Sequence, residues 1–196
     1  NDDDDYGNPE VSRLICSPED GWVLNSEDCD DSIGVVNPSQ TEFCDGYDND
    51  CDSRSVEDGL ISTASGANWP TISEAIVASP SGGQVNICAG SYPVNLRISQ
   101  DITLHGPAGR DATKLTGLTS GSIVYVTGGE LTLSGLTIAE ANSDEDGAGV
   151  NAYLADTLTI TDVLFEGNRT SSRAGALLGP KPNASGTVTT ITDTTF

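Results

Sequence analysis

Aspartates at alternate positions between two cysteines form the most distinctive segment of the sequence, Cys44-Asp45-Gly46-Tyr47-Asp48-Asn49-Asp50-Cys51-Asp52. Asp48, Asp50 and Asp52 are spaced so that a turning backbone can aim several carboxylate oxygens at one hard cation, as in calcium-binding loops. The chemistry that this spacing favours is coordination of a divalent metal ion by oxygen.

More acidic residues precede this segment. Glu27-Asp28-Cys29-Asp30-Asp31 again combines acids with a cysteine, and Asn1-Asp2-Asp3-Asp4-Asp5 opens the sequence. A continuous block of like charges is usually a solvated tail. Here the acids alternate with cysteines and glycines, and Trp22 and Tyr47 supply packing material, so we predict a folded module that binds calcium. Magnesium is less favoured because it retains its waters and requires octahedral geometry.

Four of the five cysteines lie in this acidic N-terminal part, at Cys16, Cys29, Cys44 and Cys51. Clustered cysteines in a small acidic segment with few apolar residues indicate disulfide bonds formed in an oxidising compartment. Three pairings of these four cysteines are open. A bond between Cys44 and Cys51 would close the segment 44–52, called here the aspartate loop, and would leave Cys16 to pair with Cys29. Zinc is the alternative, but no histidine is nearby and the neighbouring donors are hard oxygens. Cys88 lies in an apolar segment, and we expect it to be buried.

Charge is unevenly distributed along the chain. The net charge is -22, and residues 1–60 carry 18 acids against Arg13 and Arg54, whereas residues 61–196 carry 12 acids against six bases. We therefore predict an acidic disulfide module at 1–60 and a different region after it. An acidic chain repels nucleic acid and anionic lipid, and no apolar run is long enough to cross a bilayer. Neither a nucleic-acid partner nor membrane insertion is expected.

The N-terminal segment 1–59 resembles the MopE-type metal-binding repeat of bacterial surface and secreted proteins. The resemblance is carried by Tyr6-Gly7-Asn8-Pro9-Glu10-Val11-Ser12-Arg13-Leu14-Ile15-Cys16, Asp28-Cys29-Asp30-Asp31, Val36-Asn37-Pro38, Thr41-Glu42-Phe43-Cys44-Asp45-Gly46 and Asp48-Asn49-Asp50-Cys51-Asp52. It implies an extracellular or cell-surface location and a disulfide-bonded module with calcium-type loops.

The resemblance also implies a set of oxygen ligands for the metal. The family label mentions copper, yet His105 is the only histidine of the chain and lies outside the module, so calcium is the expected cofactor. The ligand candidates are Asp2, Asp4, Asp28, Asp30, Asp31, Glu42, Asp45, Asp48, Asp50 and Asp52, together with Glu57.

Residues 61–80 are predicted to form a linker and a capping helix. Thr71 and Glu74 have the spacing of a capping box, and Pro80 ends the helix. One helical face carries Ile72, Ala75, Ile76 and Ser79.

The remaining sequence contains short apolar or alternating runs that indicate strands. Leu131–Ile138 matches Leu158–Phe165, and Val188–Phe196 is the next copy of the same pattern. Gly147–Val150 and Ala174–Leu177 are predicted as the second strand of each turn. Copies that follow one another after 27 and then 31 residues, with short strands between them, are typical of a parallel β-solenoid, in which each turn packs on its neighbours. The other predicted strands are Val85–Cys88, Leu96–Ile98, Ile102–His105 and Ile123–Val126.

Residues 66–196 resemble the right-handed parallel β-helix of the pectate-lyase-like class, including the Ala-Gly-Ser-Tyr and Ile-Thr-Leu-His-Gly pieces of Ile72–Gly106. The expected fold class is therefore mainly β, with a short right-handed parallel β-helix at 81–196, an N-terminal capping helix and the loop-rich calcium module before it. A two-sheet sandwich is the alternative, because short strands at regular spacing also suit it.

We expect a structural subunit of an extracellular filament or surface assembly. The sequence stops at Phe196 within a repeat, and an uncovered solenoid end exposes unpaired backbone groups, which favours head-to-tail stacking controlled by calcium. A fragment of a larger adhesin or glycan-binding protein is the alternative, in which the loop 142–147 could meet a glycan or hold calcium.

A polysaccharide lyase is less favoured, because fold alone does not confer activity. The bases that such chemistry needs do not share one repeat offset with paired acids, so no enzymatic activity is expected. These bases are Arg97, Arg110, Lys114, Arg169, Arg173 and Lys181.

Overall fold

The computed structural model describes residues 2, 4–11, 22–40, 44, 47–51, 61–63, 68–118, 120–182 and 187–196. The chain divides into two compact units, Asn1–Glu57 and Asp58–Phe196. The described part of the first unit, the N-terminal module, consists of turns and loops. The second unit is a β-solenoid of about four turns with one short helix at its N-terminal side, which confirms the predicted fold class.

Each turn of the solenoid has three faces, and strands of successive turns pair in parallel on each face. This pairing excludes the two-sheet sandwich. The strands are β1 (Ile61–Thr63), β2 (Asn68–Trp69), β3 (Gly83–Ile87), β4 (Gly90–Val94), β5 (Leu96–Ile98), β6 (Ile102–His105), β7 (Thr113–Gly117), β8 (Val124–Val126), β9 (Glu130–Ala139), β10 (Asn142–Ser143), β11 (Val150–Asn151), β12 (Thr157–Glu166), β13 (Arg169–Thr170), β14 (Leu177–Leu178) and β15 (Val188–Thr192).

The first face contains β3, β6, β15 and the first halves of β9 and β12. The second face contains β4, β7 and the second halves of β9 and β12. The third face contains β5, β8, β11 and β14. β1 and β2 extend the first face as antiparallel strands beside β3, and β10 pairs with β13 separately.

The helix α1 (Ile72–Ala78) has the capping residues predicted for it. Thr71 Oγ1 accepts a hydrogen bond from the Glu74 backbone N–H at 3.2 Å and donates to Glu74 Oε2 at 2.8 Å. The helix packs against β1, β2, β3 and β5. Its buried side chains are Ile72, Ala75 and Ile76, and Ser79 is buried at the C-cap, so the predicted apolar face is confirmed.

The register of the first face confirms the predicted repeat. Leu131 pairs with Leu158, and Leu158 pairs in turn with Thr189, so the three copies lie side by side as the sequence match predicts. The ring of Phe165 stacks on that of Phe196 with centroids 5.0 Å apart.

The predicted second strands lie elsewhere than expected. Only the last residue of Gly147–Val150 and the last residue of Ala174–Leu177 enter β11 and β14, and both strands belong to the third face. The second face is instead a continuation of β9 and β12 beyond a bend. Gly135 and Asp162 occupy this bend in the left-handed region, with φ of 63° and 52°, which glycine and aspartate tolerate better than most residues.

The sequence analysis did not predict several strands, among them the five-residue strands β4 and β7. β4 contains Pro93, which cannot donate a ladder hydrogen bond, and β4 pairs only with β7 among the described strands. An edge position of this kind tolerates proline.

Cys88 lies just before β4 and is 1% exposed, as predicted, and it is disulfide-bonded.

Inward-pointing apolar side chains of successive turns stack into columns. Leu104, Leu133 and Ile160 form one such column in register, and all three are fully buried. Outward-pointing positions between them are polar, which gives each strand its period of two.

No helix in the described part of the chain has the length and apolar character needed to cross a membrane.

Leu133→Ala should lower the free energy of unfolding of the solenoid by about 2 to 5 kcal/mol, because it opens a cavity between two neighbouring turns. The matched control is Thr132→Ala, whose outward side chain lies on the same strand and should change stability by less than about 1 kcal/mol. Chemical denaturation followed by circular dichroism measures both. Equal losses in the two variants would contradict the assigned inward and outward faces.

Candidate metal centre

The N-terminal segment is fastened to the loop that contains Asp28. The Asp28 backbone N–H donates to the Gly7 carbonyl at 3.2 Å, the Gly7 N–H donates to Asn25 Oδ1 at 3.0 Å, and Asn25 Nδ2 donates to the Asp5 carbonyl at 3.1 Å. A Cβ on Gly7 would lie 2.7 Å from Val23 Cγ2, so only glycine fits here without rearrangement. These contacts place the first aspartates of the chain beside Asp28.

Three carboxylates converge at this point. Asp2, Asp4 and Asp28 each offer an oxygen within 4.8 Å of the others. Two of these side chains form Asx turns: Asp4 Oδ1 accepts from the Tyr6 N–H and Asp28 Oδ1 from the Asp30 N–H, both at 2.8 Å. Each turn fixes one oxygen on the backbone and leaves the second oxygen for another partner.

The remaining carboxylate oxygens of the three residues are buried and have no hydrogen-bond partner within the described structure. The unpartnered atoms are both oxygens of Asp2, Oδ2 of Asp4 and Oδ2 of Asp28, and the Asp28 residue is only 1% exposed. Buried carboxylate oxygens without partners are costly, and native structures rarely keep them.

The electrostatics of the cluster favour a cation. Burial raises the pKa of Asp28; the hydrogen bond from Asp30 opposes that rise, and the negative charges of Asp4, Asp2 and Asp31 add to it. Removal from water and mutual repulsion both disfavour the ionised form. A divalent cation would reverse both effects and supply the missing partners of the oxygens. The donor set therefore fits a hard metal ion that oxygen ligands prefer.

A disulfide joins this cluster to the aspartate loop. Cys29 is bonded to Cys51 with their Cα atoms 5.7 Å apart, so the pairings of Cys51 with Cys44 and of Cys29 with Cys16 suggested by the sequence are wrong. The Asp48 carbonyl oxygen lies 3.4 Å from the Cys29 sulfur. Cys44 is also disulfide-bonded, and Cys16 lies outside the described residues. Bridging two separate loops fixes the backbone beside Asp28 more firmly than closing a local loop would.

Asp48 is a fourth ligand candidate on the aspartate loop. Its Oδ1 atom is buried and lacks a hydrogen-bond partner among the described groups. It does not belong to the close group of three carboxylates.

Asn49 holds the aspartate loop in place, a role that the ligand spacing alone does not reveal. It is 0% exposed, its Nδ2 donates to the Val35 carbonyl at 3.3 Å, and its carbonyl accepts from the Asn37 N–H at 2.9 Å. Asn37 Oδ1 in turn accepts from the Ser39 N–H at 3.0 Å, which forms the turn at Pro38. Two features of the sequence could have indicated this role: the position of Asn49 between two aspartates, and the Asn37-Pro38 pair.

The other predicted ligands are not brought into the group of three. Asp30 Oδ1 accepts from the backbone N–H and the hydroxyl of Ser32, at 3.2 and 2.5 Å. Asp31 and Asp50 are half-buried and have interactions of their own. The candidates outside the described residues are Glu42, Asp45, Asp52 and Glu57.

The acidic loop at 142–147 of the solenoid does not resemble a cation site. Asp146 accepts hydrogen bonds from the Ser172 hydroxyl at 2.5 Å, the Arg173 N–H at 2.8 Å and Arg173 Nη2 at 2.7 Å. These contacts, with Ser172 contributing most, lower the pKa of Asp146 to about 2. Arg173 supplies the compensating charge that a metal would otherwise provide.

Comparison with known proteins identifies a family model that matches part of the chain. Residues 28–57 match the family model Cu-binding MopE, described as "Putative metal-binding motif". The predicted resemblance is confirmed over this range, which contains Asp28, Asp48 and both cysteines of the described disulfide. No curated protein and no solved structure matches the chain, so the pectate-lyase-like class stays a prediction.

Replacing Ser172 by Ala or Arg173 by Gln should raise the pKa of Asp146 from about 2 towards its ordinary value. Because the folded-state pKa is the lower one, this carboxylate stabilises the fold above the unfolded pKa of about 3.9, and that contribution disappears as the pH falls towards 2. NMR titration of the side-chain carboxyl carbons measures the shift. Lys181→Gln, which removes a positive charge elsewhere, should leave it unchanged; an equal shift there would indicate a diffuse charge effect.

Proposed function

We propose that this chain is an extracellular calcium-binding structural protein. In this proposal a calcium ion holds the N-terminal module folded, and the β-solenoid is the scaffold that carries it. The observation that carries the proposal is the set of buried, unpartnered oxygens on Asp2, Asp4 and Asp28 among the described residues. Burial and the neighbouring carboxylates raise the pKa of Asp28, and a cation bound there would offset both effects.

Calcium is favoured over the copper of the family name because the converging donors are carboxylate oxygens. Copper prefers imidazole or sulfur ligands, and the module contains no histidine. His105 belongs to the solenoid, where its Nδ1 lies 2.8 Å from Ser134 Oγ. The cysteine sulfurs of the described disulfide are oxidised and therefore unavailable as thiolates.

The chemistry of the module supports a location outside the cytoplasm. Disulfide bonds persist in oxidising compartments, and calcium sites of modest affinity fill at extracellular calcium concentrations. The proposed location is a cell surface, as the bacterial proteins that the module resembles suggest.

We assign no catalytic role to the solenoid, since several of its bases are engaged in ion pairs. Lys114 Nζ lies 3.0 Å from both Glu140 Oε1 and Glu166 Oε1, and Arg110 Nε lies 3.3 Å from Asp162 Oδ1. Bases held in this way connect successive turns. A role in mechanical or architectural support therefore suits them better than proton abstraction.

Removing calcium should unfold the N-terminal module and leave the solenoid folded. At a calcium concentration about a hundred times the dissociation constant, binding should stabilise the module by about 2.7 kcal/mol. Limited proteolysis with and without a chelator, combined with elemental analysis of the purified protein, measures this effect. Copper rather than calcium in the purified protein, or a module equally resistant after complete metal removal, would refute the proposal.

Asp28→Asn should weaken calcium binding at least tenfold, because the neutral amide keeps the size of the side chain but loses a charged ligand. Asp5→Asn is the matched control, since Asp5 is exposed and asparagine tolerates its φ of 71°. Calorimetric calcium titration of the full chain compares the two variants. Equal weakening in both would show that net charge rather than the cluster binds the ion.

We also propose that the protein assembles through β15. All five residues of this strand are exposed, and apolar surface is presented by Val188 and Ile191 within the strand and by Phe196 after it. One edge of β15 pairs with β12, and the other edge can pair with a further strand. Such a strand from a second molecule would form a head-to-tail contact, which generates open polymers.

Ile191→Lys should abolish this association, because a charge would then face the apolar contact. Val77→Lys is the control, since Val77 is an apolar residue on α1 that is 82% exposed, against 42% for Ile191. Sedimentation velocity in calcium measures the size distribution of both variants. A monodisperse monomer of the unsubstituted chain would refute assembly while leaving the calcium proposal intact.

A further inference from the structure

The third face of the solenoid carries a cleft of about 690 Å³. This size lies within the range of small-molecule sites. The floor is formed by β5 and β8, and the loop after β10 forms one wall. The polar and aromatic side chains that line it are Asn95, Arg97, Ser122, Tyr125, Asp144 and Glu145.

A buried hydroxyl in this cleft lacks a partner. Ser122 is 6% exposed, and its Oγ makes no hydrogen bond within the part of the chain that is described. Its carbonyl accepts a hydrogen bond from Asn95 Nδ2 at 2.9 Å, which fixes the amide of Asn95 in the cleft. Leaving a buried hydroxyl unpaired costs free energy, so the site gains when a ligand group reaches this oxygen.

The acidic wall of the cleft is held rigid by the following turn. The Ser143 carbonyl accepts from the Ser171 N–H at 3.1 Å, the Glu145 carbonyl accepts from Thr170 Oγ1 at 2.6 Å, and Ser171 Oγ donates to Asp144 Oδ1 at 3.3 Å. A carboxylate fixed before binding loses little conformational entropy when a ligand arrives. Asp144 is thus a preorganised hydrogen-bond acceptor, and the backbone that carries the Glu145 carboxylate is held beside it.

The floor supplies a flat ring and a donor. Arg97 and Tyr125 are paired across neighbouring turns, and the guanidinium carbon of Arg97 lies 5.2 Å from the centre of the Tyr125 ring. Arg97 forms no ion pair with any described residue. Its N–H groups therefore remain available to accepting oxygens of a ligand.

We propose that this cleft binds a neutral saccharide. A sugar ring has hydroxyl groups that both donate and accept, which matches carboxylates, a hydroxyl, an amide and a guanidinium in one cleft, and its C–H face packs on an aromatic ring. The two carboxylates disfavour an acidic sugar, and Arg97 disfavours a cationic amine. This proposal goes beyond the proposed function and requires no metal ion.

Calorimetric titration of the full chain with neutral oligosaccharides of glucose, mannose, galactose and N-acetylglucosamine tests the proposal. We expect one of them to bind with millimolar or tighter affinity, with and without a chelator. Asp144→Asn and Glu145→Gln should each weaken that binding by about tenfold, the loss expected for one hydrogen bond to a charged group. Ser122→Ala should also weaken it, whereas the control Asp111→Asn, which removes an exposed carboxylate elsewhere, should not.

Other outcomes would overturn the assignment. If none of the neutral oligosaccharides bound, the cleft would not be a saccharide site. Tighter binding of an oligogalacturonate or of spermidine would assign the cleft to an acidic or a cationic ligand instead. Equal weakening in Asp111→Asn would place binding elsewhere on the chain. Circular dichroism of each variant excludes unfolding as the cause of a loss, and binding that persists in chelator separates this proposal from the calcium proposal.

Discussion

Carboxylates gathered out of contact with water are the constraint on which the N-terminal module depends. Asp2, Asp4 and Asp28 are brought together by backbone turns that satisfy one oxygen of Asp4 and of Asp28, so the remaining oxygens face a cost that the described part of the chain does not offset. A small loop-rich unit also has little apolar surface to bury. Its stability must therefore come from cross-links, namely the disulfide and, in our proposal, an ion.

The solenoid, in contrast to the N-terminal module, is stabilised by burial of apolar side chains. Its columns of buried leucine, isoleucine and valine provide a continuous core, and each turn relies on the next one for cover. Ion pairs on the solenoid connect successive turns; Lys114, for example, contacts both Glu140 and Glu166. The two units thus combine a site whose order, in our proposal, depends on solution conditions with a scaffold whose order is intrinsic.

Local periodic features could be predicted from the sequence, and features that depend on distant contacts could not. The pairing of Leu131 with Leu158 and the cap at Thr71 follow from spacing alone. The Cys29–Cys51 bond could not be predicted in this way, because proximity in sequence favours the pairing of Cys51 with Cys44. The cleft around Ser122 is assembled from more than one turn of the solenoid, so no single segment carries its signal.

Successive turns of the first face differ in length although their cores align. Ile102 pairs with Leu131, Leu131 with Leu158 and Leu158 with Thr189, and the separation in sequence is shortest for the second of these pairs and longest for the third. Extra residues are therefore absorbed in the corners between faces, outside the stacked columns. A scaffold of this kind can gain or lose a few residues at a corner without altering its interior, which makes the corners suitable places for inserting epitopes or affinity tags.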